Sequence, residues 1–195
     1  MPDLSAFVLA GGRSSRMGTD KAFLQLDGRT LLARALDRLH ALTPEVRTVG
    51  PAAKFAAYGP VVEDVYADRG PLAGIHAALS ASATELNLIL AVDLPFVSAA
   101  LLRFIVEEAR ACDAVVTVPR IAGGYQPLCA VYRGAFAPLA AAALEAGKNK
   151  IDALFAVTST RVLEESELSR FAFSAAMFEN LNTPEDLRRA IPEKP

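Results

Sequence analysis

Short apolar runs and stretches of helical periodicity take turns along this 195-residue chain, and that alternation is the tightest constraint on its fold. The runs Ala6–Ala10, Val46–Val49, Pro60–Asp64, Leu86–Val92, Ala114–Val118 and Leu128–Tyr132 read as strands. LNLILAV at 86–92 is almost wholly apolar, as a strand covered on both faces must be. Between these runs, Thr30–Leu42 sets Leu32, Ala35, Leu36 and Leu39 on one helical face. Gly70-Pro71-Leu72 opens a helix through Ala83. Ser98 caps another, with Leu101, Leu102, Ile105, Val106 and Ala109 on one face, and an Ala-rich helix ends at Glu145. Arg161–Leu163 and Ala176–Leu181 read as late strands. Thr183-Pro184-Glu185-Asp186 has the N-cap, the N1 proline and the following acid that begin a last helix. Strands alternating with helices predict an α/β, Rossmann-like three-layer sandwich with a mostly parallel, doubly wound sheet. With 52% hydrophobic residues and no linker or repeat, residues 1–195 are expected to form a single domain.

In doubly wound sheets ligands bind beyond the carboxyl ends of the strands. That rule singles out the residues at the end of each apolar run: the loop after Val8, Asp64, Asp93 and Asn180. The loop, Leu9 to Lys21, reads LAGGRSSRMGTDK. Gly11, Gly12 and Gly18 allow sharp turning and close approach to a ligand, and successive N–H groups can cradle phosphate oxygens. Arg13, Arg16 and Lys21 add positive charge, with Arg13 read as solvated. The loop is neither of the familiar phosphate binders. Five residues separate Gly12 from Gly18, and Thr19 stands where a P-loop needs Lys; Arg13 breaks the G-x-G-x-x-G pattern. Lys21 is expected to reach the α-phosphate of a nucleotide and Arg16 the β- and γ-phosphates, the alternative being solvated surface charges. Asp93 ends a buried run, where a carboxylate needs a partner. A metal ion is the simplest one, and a turn cap the alternative.

The remaining composition excludes more than it assigns. Net charge is −2, so bulk nucleic-acid binding is not expected. Cys112 and Cys129, with two histidines, form no zinc spacing, and a reducing compartment suits them. No signal peptide or membrane span is apparent, so a soluble, cytoplasmic protein without membrane partners is expected. His40, His76 and Asn87 carry no special reading, and Phe104, Phe136, Phe155 and Phe171 read as core.

The pattern LAGG-x-S-x-RMG-x-DK resembles the signature of nucleotidyltransferases that activate a phosphorylated substrate with an NTP. With Gly at position 11 it resembles the molybdenum cofactor guanylyltransferase family, whereas the related cytidylyltransferases usually carry Ala there. The same order of motifs continues through VVED, GPLAG, DLPF, QPLCAVY and NLNTPEDL, nearly the whole chain. The resemblance implies a nucleotide-diphospho-sugar transferase-like fold. It also implies transfer of GMP from Mg-GTP to the phosphate of Mo-molybdopterin, with pyrophosphate released. It assigns Mg²⁺ to Asp93 and base recognition to the backbone of Leu9, Ala10, Gly11 and Gly12, with Asp64 near the nucleotide. Gln126, Asn180 and Asn182 fall on the pterin side. A loop cap for Asp64, a plain polar loop residue for Gln126 and a helix cap for Asn182 remain alternatives. One departure stands out: the family often has Asn where this chain has Gly50, which leaves backbone contacts to serve the base or ribose. Apo-molybdoenzymes would receive the product. The alternatives left open are molybdopterin cytidylyl transfer, sugar-phosphate nucleotidyl transfer and a non-catalytic cofactor carrier.

Overall fold

The computed structural model describes residues 3–11, 20–66, 69–181 and 186. In chain order its strands and α-helices are β1 (Leu4–Leu9), β2 (Gln25–Leu26), β3 (Arg29–Thr30), α1 (Leu31–His40), β4 (Val46–Val49), α2 (Ala52–Phe55), β5 (Val61–Val62), α3 (Pro71–Ser80), β6 (Leu86–Ala91), α4 (Ala99–Arg110), β7 (Val116–Ile121), β8 (Gly124–Tyr125), β9 (Cys129–Arg133), α5 (Phe136–Glu145), α6 (Asp152–Phe155), β10 (Thr160–Glu164) and α7 (Glu165–Arg170). The main sheet runs β10-β7-β9-β6-β1-β4-β5, with β8 folded back on β7. β1 pairs in parallel with both β4 and β6, β4 with β5 and β7 with β10; in this sheet only β9 and β8 run antiparallel to their neighbours.

Side-chain alternation along the central strands divides the interior into two cores. From β1, Leu4, Ala6 and Val8 face the side covered by α1 and α4, where Leu32, Ala35, Leu39, Leu101, Leu102 and Ile105 are packed. Phe7 and Leu9 face the other side, against Leu72, Ile75, Phe136 and Phe155 of α3, α5 and α6. This is the three-layer, mostly parallel arrangement the alternation predicts. The two large helices of the first layer start as their sequences require. Thr30 Oγ1 accepts from Ala33 N at 3.2 Å, and Ser98 Oγ from Leu101 N at 3.1 Å.

Three expectations are corrected. Ala176–Leu181 is not a strand: Ala175–Phe178 forms a 3-10 turn, with Phe178 and Leu181, three apart, both buried. Phe171 is 56% exposed and sits over Phe104 and Phe173 at the rim of the core, not inside it. A small ribbon of β2 and β3, absent from the expected elements, stands between Lys21 and α1 and turns at Asp27-Gly28 with positive φ at both residues. That is the geometry which Asp-Gly favours. The start of the last helix lies outside the described residues except for Asp186.

Candidate active site

Because β1, β4 and β6 run in parallel, their carboxyl ends reach one rim, and a cleft of about 210 Å³ opens there. Leu9, Ala10 and Gly11 form one wall and Ala91, Val92 and Asp93 another, with Val49 and Leu128 between and beside them. Lys21 and Asp64 border it, and Gly70, Pro71 and Gly74 bring the first turn of α3 to it. Backbone hydrogen bonds stitch these strand ends together. Val49 O accepts from both Ala10 N (3.0 Å) and Gly11 N (3.1 Å), Val92 N donates to Leu9 O (3.1 Å), and Ala91 N to Leu128 O (2.8 Å).

The first turn of α3 reaches the cleft because glycine allows it. Gly70, at φ +73°, supplies no capping side chain, and Pro71 occupies N1, where its missing N–H costs nothing. Gly74 lies against Leu9 and Val49, where a Cβ would meet Leu9 Cδ2 at 3.4 Å, an ordinary contact. An uncapped helix start with its partial positive charge therefore faces the cleft.

Lys21 opens a 3-10 turn, Lys21–Phe23, fixed by Asp20, whose Oδ1 accepts from Ala22 N at 3.1 Å. Its Nζ lies 3.2 Å from Asp93 Oδ2, and both side chains are about one-fifth exposed. The partner that Asp93 needs at the end of β6 is thus the cation from the other side of the cleft. Three further contacts hold the Asp93 turn. Leu94 N donates to Ala91 O at 3.3 Å, Leu181 N to Asp93 O at 3.0 Å, and the Arg38 guanidinium of α1 to Pro95 O. Burial of that guanidinium lowers the pKa of Arg38.

Asp64 is an exposed residue whose carboxyl leans inward: its Oδ2 would lie 3.9 Å from a Cβ on Gly11. Partial desolvation raises its pKa above the ordinary aspartate value. Gly50 sits behind Gly11. Its φ of +153° and a Phe55 ring carbon 2.7 Å from the position of a Cβ leave no room there for any side chain. The glycine at position 50 therefore has a packing cause: Phe55, fully buried, occupies the space of a side chain there.

The structure thus gathers Leu9, Ala10, Gly11, Lys21, Asp64 and Asp93 around one cleft, with Gly50 directly behind it. Gln126, half-buried, and Asn180, exposed, do not line it. Gln126 belongs to the turn leading to Leu128, and Asn180 precedes the Leu181 tether to Asp93. Gly12, Arg16 and Asn182 lie outside the described residues. Arg38 and Asp20 were not singled out from sequence; the Asp-Lys pair closing the loop was the available signal for Asp20. As for a metal, no cluster of three His, Cys, Asp or Glu exists among the described residues. Two carboxylates, Asp64 and Asp93, border the cleft, and oxygen donors so few suit a small hard cation that keeps several waters. No helix among the described residues is long and apolar enough to cross a membrane.

Solved structures share this plan. Molybdopterin-guanine dinucleotide biosynthesis protein A from Archaeoglobus fulgidus superposes with a TM-score of 0.84 at 26% identity, covering 95% of this chain and 96% of that one. The fold is shared with 2-C-methyl-D-erythritol 4-phosphate cytidylyltransferase from Thermus thermophilus (TM-score 0.70, 21% identity, 97% of both chains). Fold and site together define a nucleotidyltransferase. The model of the MobA-like NTP transferase domain matches residues 6–162, and the chain belongs to that family. A probable molybdenum cofactor guanylyltransferase from Pelotomaculum thermopropionicum is 34% identical over 192 residues, 97% of this chain and 93% of that protein. A molybdenum cofactor guanylyltransferase from Desulfosudis oleivorans is 32% identical over 194 residues, 97% and 95% of the two.

Proposed function

We propose that this protein transfers GMP from Mg-GTP to the phosphate of Mo-molybdopterin, forming the guanine dinucleotide cofactor and pyrophosphate. The relatives' names support the substrate class. The observation that carries the chemistry is the Lys21–Asp93 pair at 3.2 Å, set in a cleft between the ends of β1 and β6.

An acceptor phosphate oxygen attacks the α-phosphorus of GTP, and pyrophosphate leaves with the bond electrons. Nucleophile, electrophile and leaving group are all anionic, so alignment and charge neutralisation decide the rate. No protein nucleophile is needed. Lys21 neutralises the α-phosphate and the bridging oxygen as charge builds there, and the first turn of α3 faces the same anions. Arg16 takes the β- and γ-phosphates. Asp93 holds Mg²⁺, which when bound supplies charge neutralisation and a template for the phosphates. Gln126, Asn180 and Asn182 serve the pterin, and apo-molybdoenzymes take the product.

Gly11 speaks for guanine. It has no positive φ, and among the described residues a Cβ there would meet only ordinary contacts, the nearest Gly50 Cα at 3.5 Å. None of the described residues demands glycine at this position, and the missing methyl leaves room for a purine.

Thermal stability with Mg²⁺ and each of GTP, CTP, ATP and UTP tests the reading. A ligand at ~100 times its dissociation constant adds about 2.7 kcal/mol to the folded state. GTP alone should raise the melting temperature of the parent, and Lys21→Ala should abolish that shift. In the transfer assay Lys21→Ala and Asp93→Ala should each lose ~10²–10³ in turnover. A shift with CTP alone would move the assignment to cytidylyl transfer. Stoichiometric pterin binding without pyrophosphate release would favour a carrier.

A further inference from the structure

The segment 51–58, formed by α2 and the turn after it, has no role in the chemistry above, yet it touches three parts of the nucleotide site. The ring of Phe55 is fully buried and fills the space at which a side chain on residue 50 would point. It is backed by Phe23, with ring centroids 5.9 Å apart, and Phe23 in turn packs on Tyr58 at 5.8 Å. Lys54 Nζ lies 2.9 Å from Asp20 Oδ2, on the carboxylate whose other oxygen fixes the turn that presents Lys21. Ala52 N donates to Glu63 Oε1 at 2.9 Å, on the residue before Asp64.

We propose that this segment is a positioning platform for the nucleotide half of the site, with Phe55 standing in for the side chain absent at Gly50 and Lys54 orienting Lys21 through Asp20. The inference rests on the guanylyl reading. Phe55 sets the height of Gly50, and Gly50 backs Gly11, so the ring fixes the floor on which the base lies. The Lys54–Asp20 pair is half exposed on the lysine side, with 53% of that side chain accessible. Such a pair adds little stability. Its effect is geometric, keeping the Asp20 cap and therefore the direction of the Lys21 side chain.

The test is steady-state pyrophosphate release by the full chain, with Mo-molybdopterin saturating and Mg-GTP titrated, beside calorimetric GTP binding and melting temperature. Phe55→Leu should raise KM and Kd for GTP ~10-fold with kcat within ~2-fold, and narrow the preference for GTP over CTP. Phe55→Met, unbranched and long enough to reach into the space of the ring, should recover part of the affinity. Lys54→Ala should cut kcat ~3- to 10-fold at an unchanged melting temperature, and Lys54→Arg should restore it. A Phe55 that only fills the core would lower the melting temperature and leave the GTP affinity of the folded enzyme unchanged. That result overturns the platform; should Phe55→Leu not fold, parental kcat in Lys54→Ala overturns it instead. A parent enzyme that neither binds nor uses GTP would instead sink the guanylyl reading on which the platform stands.

Discussion

Two glycines in contact behave oppositely, and the difference is set by what each faces. A Cβ on Gly50 would meet the Phe55 ring at 2.7 Å on a backbone at φ +153°, so Gly50→Ala should destabilise by ~2–4 kcal/mol in denaturant unfolding. In a Phe55→Ala background the ring clash is gone and the backbone strain remains with a 3.2 Å approach to Gly11 N, so the added cost should drop to ~1–2 kcal/mol. An equal cost in both backgrounds would show that the ring is not the cause. Gly11→Ala should stay within ~0.5 kcal/mol of the parent, since its Cβ would meet none of the described residues closer than 3.5 Å. Sequence alone pointed to both positions: Gly11 through the anion loop, Gly50 as a departure from a resembling family. It could not say why Gly50 is glycine, because the reason is an aromatic ring five residues further on, brought back by a four-residue helix. The Lys21–Asp93 contact was hidden for the same reason. Each residue was legible by itself, whereas their pairing needs β1 and β6 to be neighbours.

Helices and strands differ in how well they announced themselves. The strands within Leu86–Val92 and Ala6–Ala10 were plain, as near-continuous apolar runs in a parallel sheet must be, whereas Val46–Val49 is legible only by its two valines around Arg47 and Thr48. Residues 176–181 misled because a run this short carries too few residues for either period to show. The chain resolves this by coiling Ala175–Phe178 and directing the amide of Leu181 to Asp93 O instead of a ladder. The end of α4 shows a device no pattern reveals. Arg133, from β9, caps it: Nη2 donates to Ala109 O (3.0 Å) and Cys112 O (2.7 Å), and Nε to Ala114 O (3.1 Å). The carbonyls left over at a helix C-terminus thus meet a guanidinium that also pairs with Glu85. Arg133→Met keeps the apolar stem and removes these bonds. It should cost about 2–3 kcal/mol and speed hydrogen exchange at the C-terminal turn of α4. A loss under ~0.5 kcal/mol would mean that water serves those carbonyls as well.

Across the whole molecule, the layer order followed from alternation, while the direction of β9 did not. A signal for it was nonetheless present: only residues 122–128 separate β7 from β9, too few for the crossover that a parallel pair requires. Cys129 begins this antiparallel strand at the middle of the sheet, fully buried, and desolvation pushes its thiol up to about 12. Almost no thiolate exists there at neutral pH. An alkylating reagent should therefore modify half-buried Cys112 in the native protein and leave Cys129 intact until the sheet unfolds. Peptide mass spectrometry showing equal rates at both would mean that this part of the sheet opens locally. The placement of β1 has a different consequence. β1 is buried along its whole length and flanked in the finished sheet by β4 and β6, the second of which ends at residue 91. A growing chain emerging from the ribosome therefore carries this apolar strand incomplete for some eighty residues of synthesis, with one edge or both unoccupied. The centre of the sheet cannot close until β6 has followed, which makes the nascent chain, rather than the finished enzyme, the form most in need of a chaperone.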